Sequence, residues 1–241
     1  MIRHISKQHL STLTKEYALI VAGGKGLRFG SATPKQFLGL NGKPVLLHTI
    51  NAFVRYSSGI QIVLVLPESE IAIWEKLAIT HKFDHPLTIV KGGDSRFQSV
   101  RNGLTVIPDD AIVAIHDGVR PLVAASVIRD SFTLARIHGS AVASVPLKES
   151  LRMVPGTGNK ESKSVDRSLY RLIQTPQTFQ CSIIRKAYTI SEDPSLTDDA
   201  SVAERAGFPI HLFDGRYDNI KITTAEDLLI AEALLSQTVG L

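Results

Sequence analysis

"YALIVAGGKGLRFGSATPKQF", Tyr17 to Phe37, passes from a continuous apolar run into a loop holding Gly23, Gly24, Gly26 and Gly30 with the cations Lys25, Arg28 and Lys35. An apolar run of this length reads as a strand covered on both faces. Glycines directly behind it let backbone N–H groups approach an anion without Cβ obstruction. Two familiar phosphate loops do not fit. In a dinucleotide fingerprint the third glycine would stand where Phe29 is, and a P-loop needs Gly-Lys-Ser/Thr, whereas Lys25 precedes Gly26 and Lys43 precedes Pro44. Glycine turns after strands are common in themselves. Arg28 and Lys35, with Pro34 holding the second, turn the reading toward a polyphosphate.

The same alternation continues outward. Ile60 to Leu66, Leu87 to Val90, Ala111 to Ile115 and Ala141 to Val145 are short, nearly continuous apolar runs. Between them, Pro44 to Tyr56, Glu68 to Thr80, Ser95 to Ile107 and Ala125 to His138 have helical character; Phe97, Val100, Leu104 and Ile107 form one stripe at spacings of three and four. Pro44 is expected as the first helical residue, where its missing N–H costs nothing. Strands alternating with helices predict βαβ units in a mostly parallel sheet, with ligands beyond the carboxyl ends of the strands. There is no internal repeat. Lys148 to Tyr170 breaks the order with more than twenty polar and turn-forming residues, long enough for a functional arm; Pro155, Gly156 and Gly158 look like its tip between two extended legs.

The chain has 241 residues, 44% apolar and 21% charged, which suits one domain over residues 17–241 behind a polar leader, residues 1–16. A net charge of +4 suits an anionic partner. The cations are scattered and aromatic residues make up only 6%, which speaks against a nucleic-acid module. Cys181 is the only cysteine and reads as a packing residue; with no apolar leader and no membrane-length apolar window, the expected location is the cytoplasm, away from membranes. A nicotinamide oxidoreductase would share the fold class but lacks its fingerprint here.

Two further loops follow strands. In "KGGDSRFQSVRNGL", Lys91 to Leu104, Asp94 or Ser95 can cap the next helix, while Arg96 at the positive helix end calls for a ligand or an acidic partner. In "AIVAIHDGVRPLV", Asp117 stands one residue past the expected strand end; it can accept ribose hydroxyls, approach a metal, or pair with Arg120. His116 reads as a packed neighbour. Thr224 with Asp227 approximates a capping box for the last helix.

Taken in order over residues 17–235, "VAGGKGLRFG…PKQF", "GGDSRFQSV", "HDGVRP", "TPQ", "TDDAS" and "NIKIT" resemble the 2-C-methyl-D-erythritol 4-phosphate cytidylyltransferase family of non-mevalonate isoprenoid synthesis. Ribitol-5-phosphate cytidylyltransferases are a sister family sharing the glycine loop and "QTPQTF"; "TDDAS" with "DNIKIT" favours the former. The resemblance implies a Rossmann-like doubly wound sheet with a projecting β-arm, about residues 148–170, that embraces the second subunit of a homodimer. It implies that Ala22, Gly23, Gly24 and Gly26 cradle CTP phosphates, and that Arg28, Lys35 and Lys221 serve the reacting phosphate. Gly93, Asp94 and Ser99 match positions around the cytosine; Asp117 and Gly118 match those holding ribose, metal-bound phosphate or substrate. Arg120, Thr175 and Thr197 match positions facing the sugar phosphate, and Ser150 and Arg167 match arm residues crossing the dimer. The implied cofactor is Mg²⁺ or another divalent cation, carried mainly by the CTP phosphates with Asp117 as a candidate ligand. Gly23, Leu27 and Ser150 depart from the alanine, basic residue and threonine found in many members.

Overall fold

The computed structural model describes residues 14–23, 33–156 and 161–238. Its first strand, β1 (Glu16–Val21), is followed by a 3₁₀ turn (Lys35–Phe37), the two-residue ladder β2 (Gly39–Leu40) and β3 (Lys43–Pro44), and helix α1 (Val45–Tyr56). Then come β4 (Gln61–Leu66), α2 (Glu68–Thr80), β5 (Leu87–Lys91), α3 (Arg96–Leu104), β6 (Ile112–Asp117), α4 (Ala125–His138) and β7 (Ser140–Pro146). The polar excursion holds β8 (Leu151–Met153) and β9 (Lys163–Val165). After it lie β10 (Arg171–Gln180), α5 (Cys181–Ala187), α6 (Asp199–Arg205), β11 (Leu212–Asp214) and α7 (Ala225–Thr238).

Seven strands form one sheet in the order β11-β7-β10-β6-β1-β4-β5, and β10 alone runs against the rest. Period-two alternation explains why both faces are apolar. Ala18, Ile20, Ile62, Leu64, Ile112 and Ala114 pack toward α1, α2 and α4. Their neighbours Leu19, Val63, Val65, Val113 and Ile115 pack toward α3, α5 and α6. Both β4 and β6 pair with β1 in parallel, so the chain reverses its direction of sheet growth there, and a crevice opens beyond the carboxyl end of β1.

Three expectations needed adjustment, and one strand had not been foreseen. Pro44 sits outside α1 at its N-cap, with φ −57° and ψ 142°, rather than as its first helical residue. Asp117 is the last residue of β6, not one beyond it, and pairs with Val21. The central helix of the second motif is shorter than its stripe, ending at Leu104, because Ile107 lies in the following turn. Finally, β10 is a ten-residue strand where only a polar motif was legible, with a register irregularity between Ile173 and Gln177 around Pro176.

Candidate active site

The end of β1, the amino-terminal half of β10, the start of α3 and the loops carrying Arg120 and Lys221 meet at Asp117. Its carboxylate lies 3.0 Å from Lys221 Nζ, 3.3 Å from Arg120 Nε and 3.8 Å from Arg96 Nε. Burial alone would raise its pKa, but Arg96, Lys221 and Arg120 outweigh that and hold the carboxyl well below the usual range. The Asp117–Arg120 pair expected from sequence exists, as one part of a larger cluster.

Each cation is held from behind. Arg96 donates Nη1 and Nη2 to Asp199 at 2.9 and 2.6 Å, and Asp199 also accepts the Tyr188 hydroxyl at 2.6 Å. That fully buried carboxylate is the acidic partner the position of Arg96 called for. Arg120 donates Nη1 to the Asn219 carbonyl at 2.7 Å, and the Asn219 amide donates to the Thr175 carbonyl at 2.8 Å. Thus "NIKIT" carries Lys221 on a segment pinned to both β10 and Arg120.

His116 is wholly buried, edge-on to Phe53, with Nε2 3.1 Å from the Arg120 carbonyl and Nδ1 3.0 Å from Thr175 Oγ1. Burial pushes its pKa down to about 4, so the imidazole is neutral near pH 7. This agrees with its reading as a packed neighbour.

Two cavities adjoin the cluster. The larger, about 630 Å³, is bordered by Ala22, Gly23, Lys35, Gly93, Asp94 and Ser99, together with Pro67, Glu68 and Glu70. The smaller, about 230 Å³, is bordered by Arg120, Gln174, Thr175, Gln177, Thr197 and Asp198. Arg96, Asp117 and Lys221 border both. A volume near 600 Å³ is of the size that small-molecule sites occupy.

Local structure explains the larger cavity's walls. Ser95 caps α3 by accepting the Gln98 N–H, leaving Asp94 exposed at the rim. Ser99 Oγ accepts the Gly93 N–H at 3.1 Å, and a Cβ on Gly93 would lie 2.4 Å from Gln98 Cβ, so only glycine fits that turn. Lys35 stands on the 3₁₀ turn, whose next residue, Gln36, donates to the Ala22 carbonyl and to Glu70. Burial raises the Glu70 carboxyl, against the opposing hydrogen bond from Gln36.

Among the residues singled out from sequence, Ala22, Gly23, Lys35, Gly93, Asp94, Ser99, Asp117, Arg120, Thr175, Thr197 and Lys221 come together here. Gly118 borders neither cavity; it is buried behind the wall, where a Cβ would come 2.8 Å from Ala22 Cβ. Ser150 and Arg167 lie on the exposed β8–β9 arm and border neither cavity. Gly24, Gly26 and Arg28 lie outside the described residues. Asp198, Asp199, Gln177, Gln36 and Glu70 were not singled out. The two aspartates were visible in "TDDAS", but nothing local tells that Asp199 reaches Arg96 across 103 positions.

The 2-C-methyl-D-erythritol 4-phosphate cytidylyltransferase family profile matches residues 17–237. A protein of that name from Porphyromonas gingivalis is 48% identical over 223 residues, covering 92% of this chain and 98% of its own length. One from Bacteroides thetaiotaomicron is 46% identical over 221 residues, covering 92% of this chain and its own entire length. Among solved structures, a 4-diphosphocytidyl-2C-methyl-D-erythritol synthase from Anaerococcus prevotii superposes with a TM-score of 0.79 at 26% identity, covering 92% of this chain and 96% of its own. The Francisella tularensis enzyme gives 0.74 at 29% identity, covering 90% and 98%. The sheet, the glycine-lined cleft and the charged wall thus sit in a chain that belongs to the 2-C-methyl-D-erythritol 4-phosphate cytidylyltransferase family.

Proposed function

We propose that the chain transfers CMP from CTP to 2-C-methyl-D-erythritol 4-phosphate, forming CDP-methylerythritol and pyrophosphate. The observation that carries this reading is the shared wall: two cavities meet at Arg96, Asp117 and Lys221, as a reaction joining two anions requires. CTP would fill the larger cavity and the acceptor the smaller. The lining of the smaller cavity divides between cations, Arg96, Arg120 and Lys221, and the oxygens of Asp198, Thr175 and Thr197. Such a division suits a molecule carrying one phosphate and several hydroxyls.

In the reaction, a phosphate oxygen of the acceptor forms a bond to the α-phosphorus of CTP while the bond to the β-phosphate bridging oxygen breaks and pyrophosphate leaves. No nucleophilic side chain is needed. Lys35 and Lys221 would neutralise charge growing on the α-phosphate, with Arg28 in the same role by resemblance, and fixed cations do this without reorganising. Among the described residues there is no cluster of three metal-ligating side chains. A single carboxylate, Asp117, borders both cavities, which fits Mg²⁺ arriving on the triphosphate with Asp117 as its protein contact. When bound, the ion would supply further charge neutralisation on the phosphates.

The reading extends to a homodimer. The arm and the start of β10 expose Met153, Val154, Leu169, Tyr170, Leu172 and Ile173, an apolar surface suited to a second copy. No described helix is long and apolar enough to cross a membrane; a cytoplasmic site of action goes with this reading. Pyrophosphate release from CTP, measured with methylerythritol phosphate and with ribitol 5-phosphate, tests the assignment. A markedly better rate with ribitol 5-phosphate would overturn it.

A further inference from the structure

We infer that His116 is a positioning residue that fixes Thr175 as a hydrogen-bond acceptor, so that Thr175 meets a hydroxyl of the acceptor substrate and not its phosphate. The inference rests on the proposed reaction for the identity of that substrate, but its hydrogen-bond logic is independent. A backbone carbonyl can only accept, so the 3.1 Å contact to the Arg120 carbonyl requires the proton on His116 Nε2. His116 is wholly buried with a carbonyl facing Nε2 and a hydroxyl facing Nδ1, surroundings that hold an uncharged ring, so Nδ1 is bare and Thr175, 3.0 Å away, donates its single hydroxyl proton there. The same oxygen accepts the Asp117 N–H at 3.1 Å. One lone pair remains for the cavity that Thr175 borders. Facing a phosphate, that lone pair would repel; facing a hydroxyl, it accepts. The anion is left to Arg120, Lys221 and Arg96, and Asp198 continues the accepting side. His116 itself touches neither cavity and acts only through Thr175.

The test combines substrate analogues with nitrogen-specific variants. Glutamine places an amide near Nε2 and asparagine near Nδ1, so His116→Gln should free the Thr175 proton while His116→Asn restores an acceptor for it. Thr175→Val and His116→Gln should each lower kcat/KM for methylerythritol phosphate about tenfold, through KM, with KM for CTP unchanged. His116→Asn should recover most of the loss. Among acceptors each lacking one hydroxyl, one should be used by the wild type at the level of Thr175→Val, and should lose nothing more in the variants. Equal further losses with every analogue would mean a merely structural role and overturn the inference. Nitrogen chemical shifts of the wild-type imidazole provide a readout that needs no variant to fold: Nδ1 should be unprotonated, and a protonated Nδ1 overturns the inference. If the wild type uses CTP but not methylerythritol phosphate, the proposed acceptor fails, while the imidazole shifts still decide the polarity of Thr175.

Discussion

At the carboxyl ends of β1 and β6 and the amino-terminal half of the antiparallel β10, each charged side chain of the wall is held by partners from a different part of the chain. Asp117 ends a central strand, Arg96 starts a helix, and Asp199, Asn219 and Lys221 arrive from the last quarter of the sequence. The β8–β9 arm is built differently. Among the described residues, three pairs join its legs and the Arg167 side chain donates to the nearby Lys148 carbonyl, with no carboxylate at ion-pair distance. The difference teaches where each region gets its order. Burial and partners distant in sequence position the cleft from within the chain, whereas the arm's described contacts are local, and its proposed role is to complete the site of a second copy.

The sharpest way to break this comparison is at Asp117. Asp117→Asn leaves Arg96, Arg120 and Lys221 facing one another without their shared carboxylate. It should lower kcat about 10³-fold and reduce stability by about 3–5 kcal/mol. A variant as stable as the parent by chemical denaturation would show that the wall is not held from within.

Lys35→Ala comes next. It should lower kcat by about 10²-fold while leaving the melting temperature within a few degrees, because Lys35 borders the cavity rather than the core. Near-normal turnover would reduce Pro34-Lys35 to a loop-shaping pair.

The arm is tested by pairing defects. Arg167→Ala should raise KM for the acceptor and spare CTP binding. Mixed under subunit exchange with Lys35→Ala chains, it should restore about a quarter of wild-type activity, since half of randomly paired dimers are mixed and each has one intact site. Continued inactivity despite demonstrated mixed dimers would place Arg167 in its own subunit's site.

The smallest effect concerns Glu70. Its folded pKa lies above the ordinary 4.5, so the ionised group weakens the native state as pH rises through and above that value. Glu70→Gln should therefore melt about 1–2 °C higher at pH 7 and lose that advantage near pH 4. Parallel melting curves across that range would show that burial does not disfavour the ionised Glu70.

Much of this was legible locally. Ile60 to Leu66 and Ala111 to Ile115 mark strands covered on both faces because period-two burial needs no knowledge of the partner, and Glu68 to Thr80 and Ala125 to His138 match α2 and α4 residue for residue. The Thr224–Asp227 cap also forms, with Asp227 accepting the Thr224 N–H at 2.9 Å. By contrast β10 was hidden, since its polar residues and Pro176 do not read as a strand until β6 and β7 flank it.

By itself, the sequence determined the alternating elements, the turns that need glycine and the family motifs, because caps, φ constraints and burial periodicity act within a few residues. Only the tertiary structure decided that Asp199 answers Arg96, that Thr175 lies against Nδ1 of His116, and that two cavities share one wall. Those pairings depend on strand order and register. Strand order and register arise from many weak burial terms summed over the whole chain, and no short stretch contains that sum.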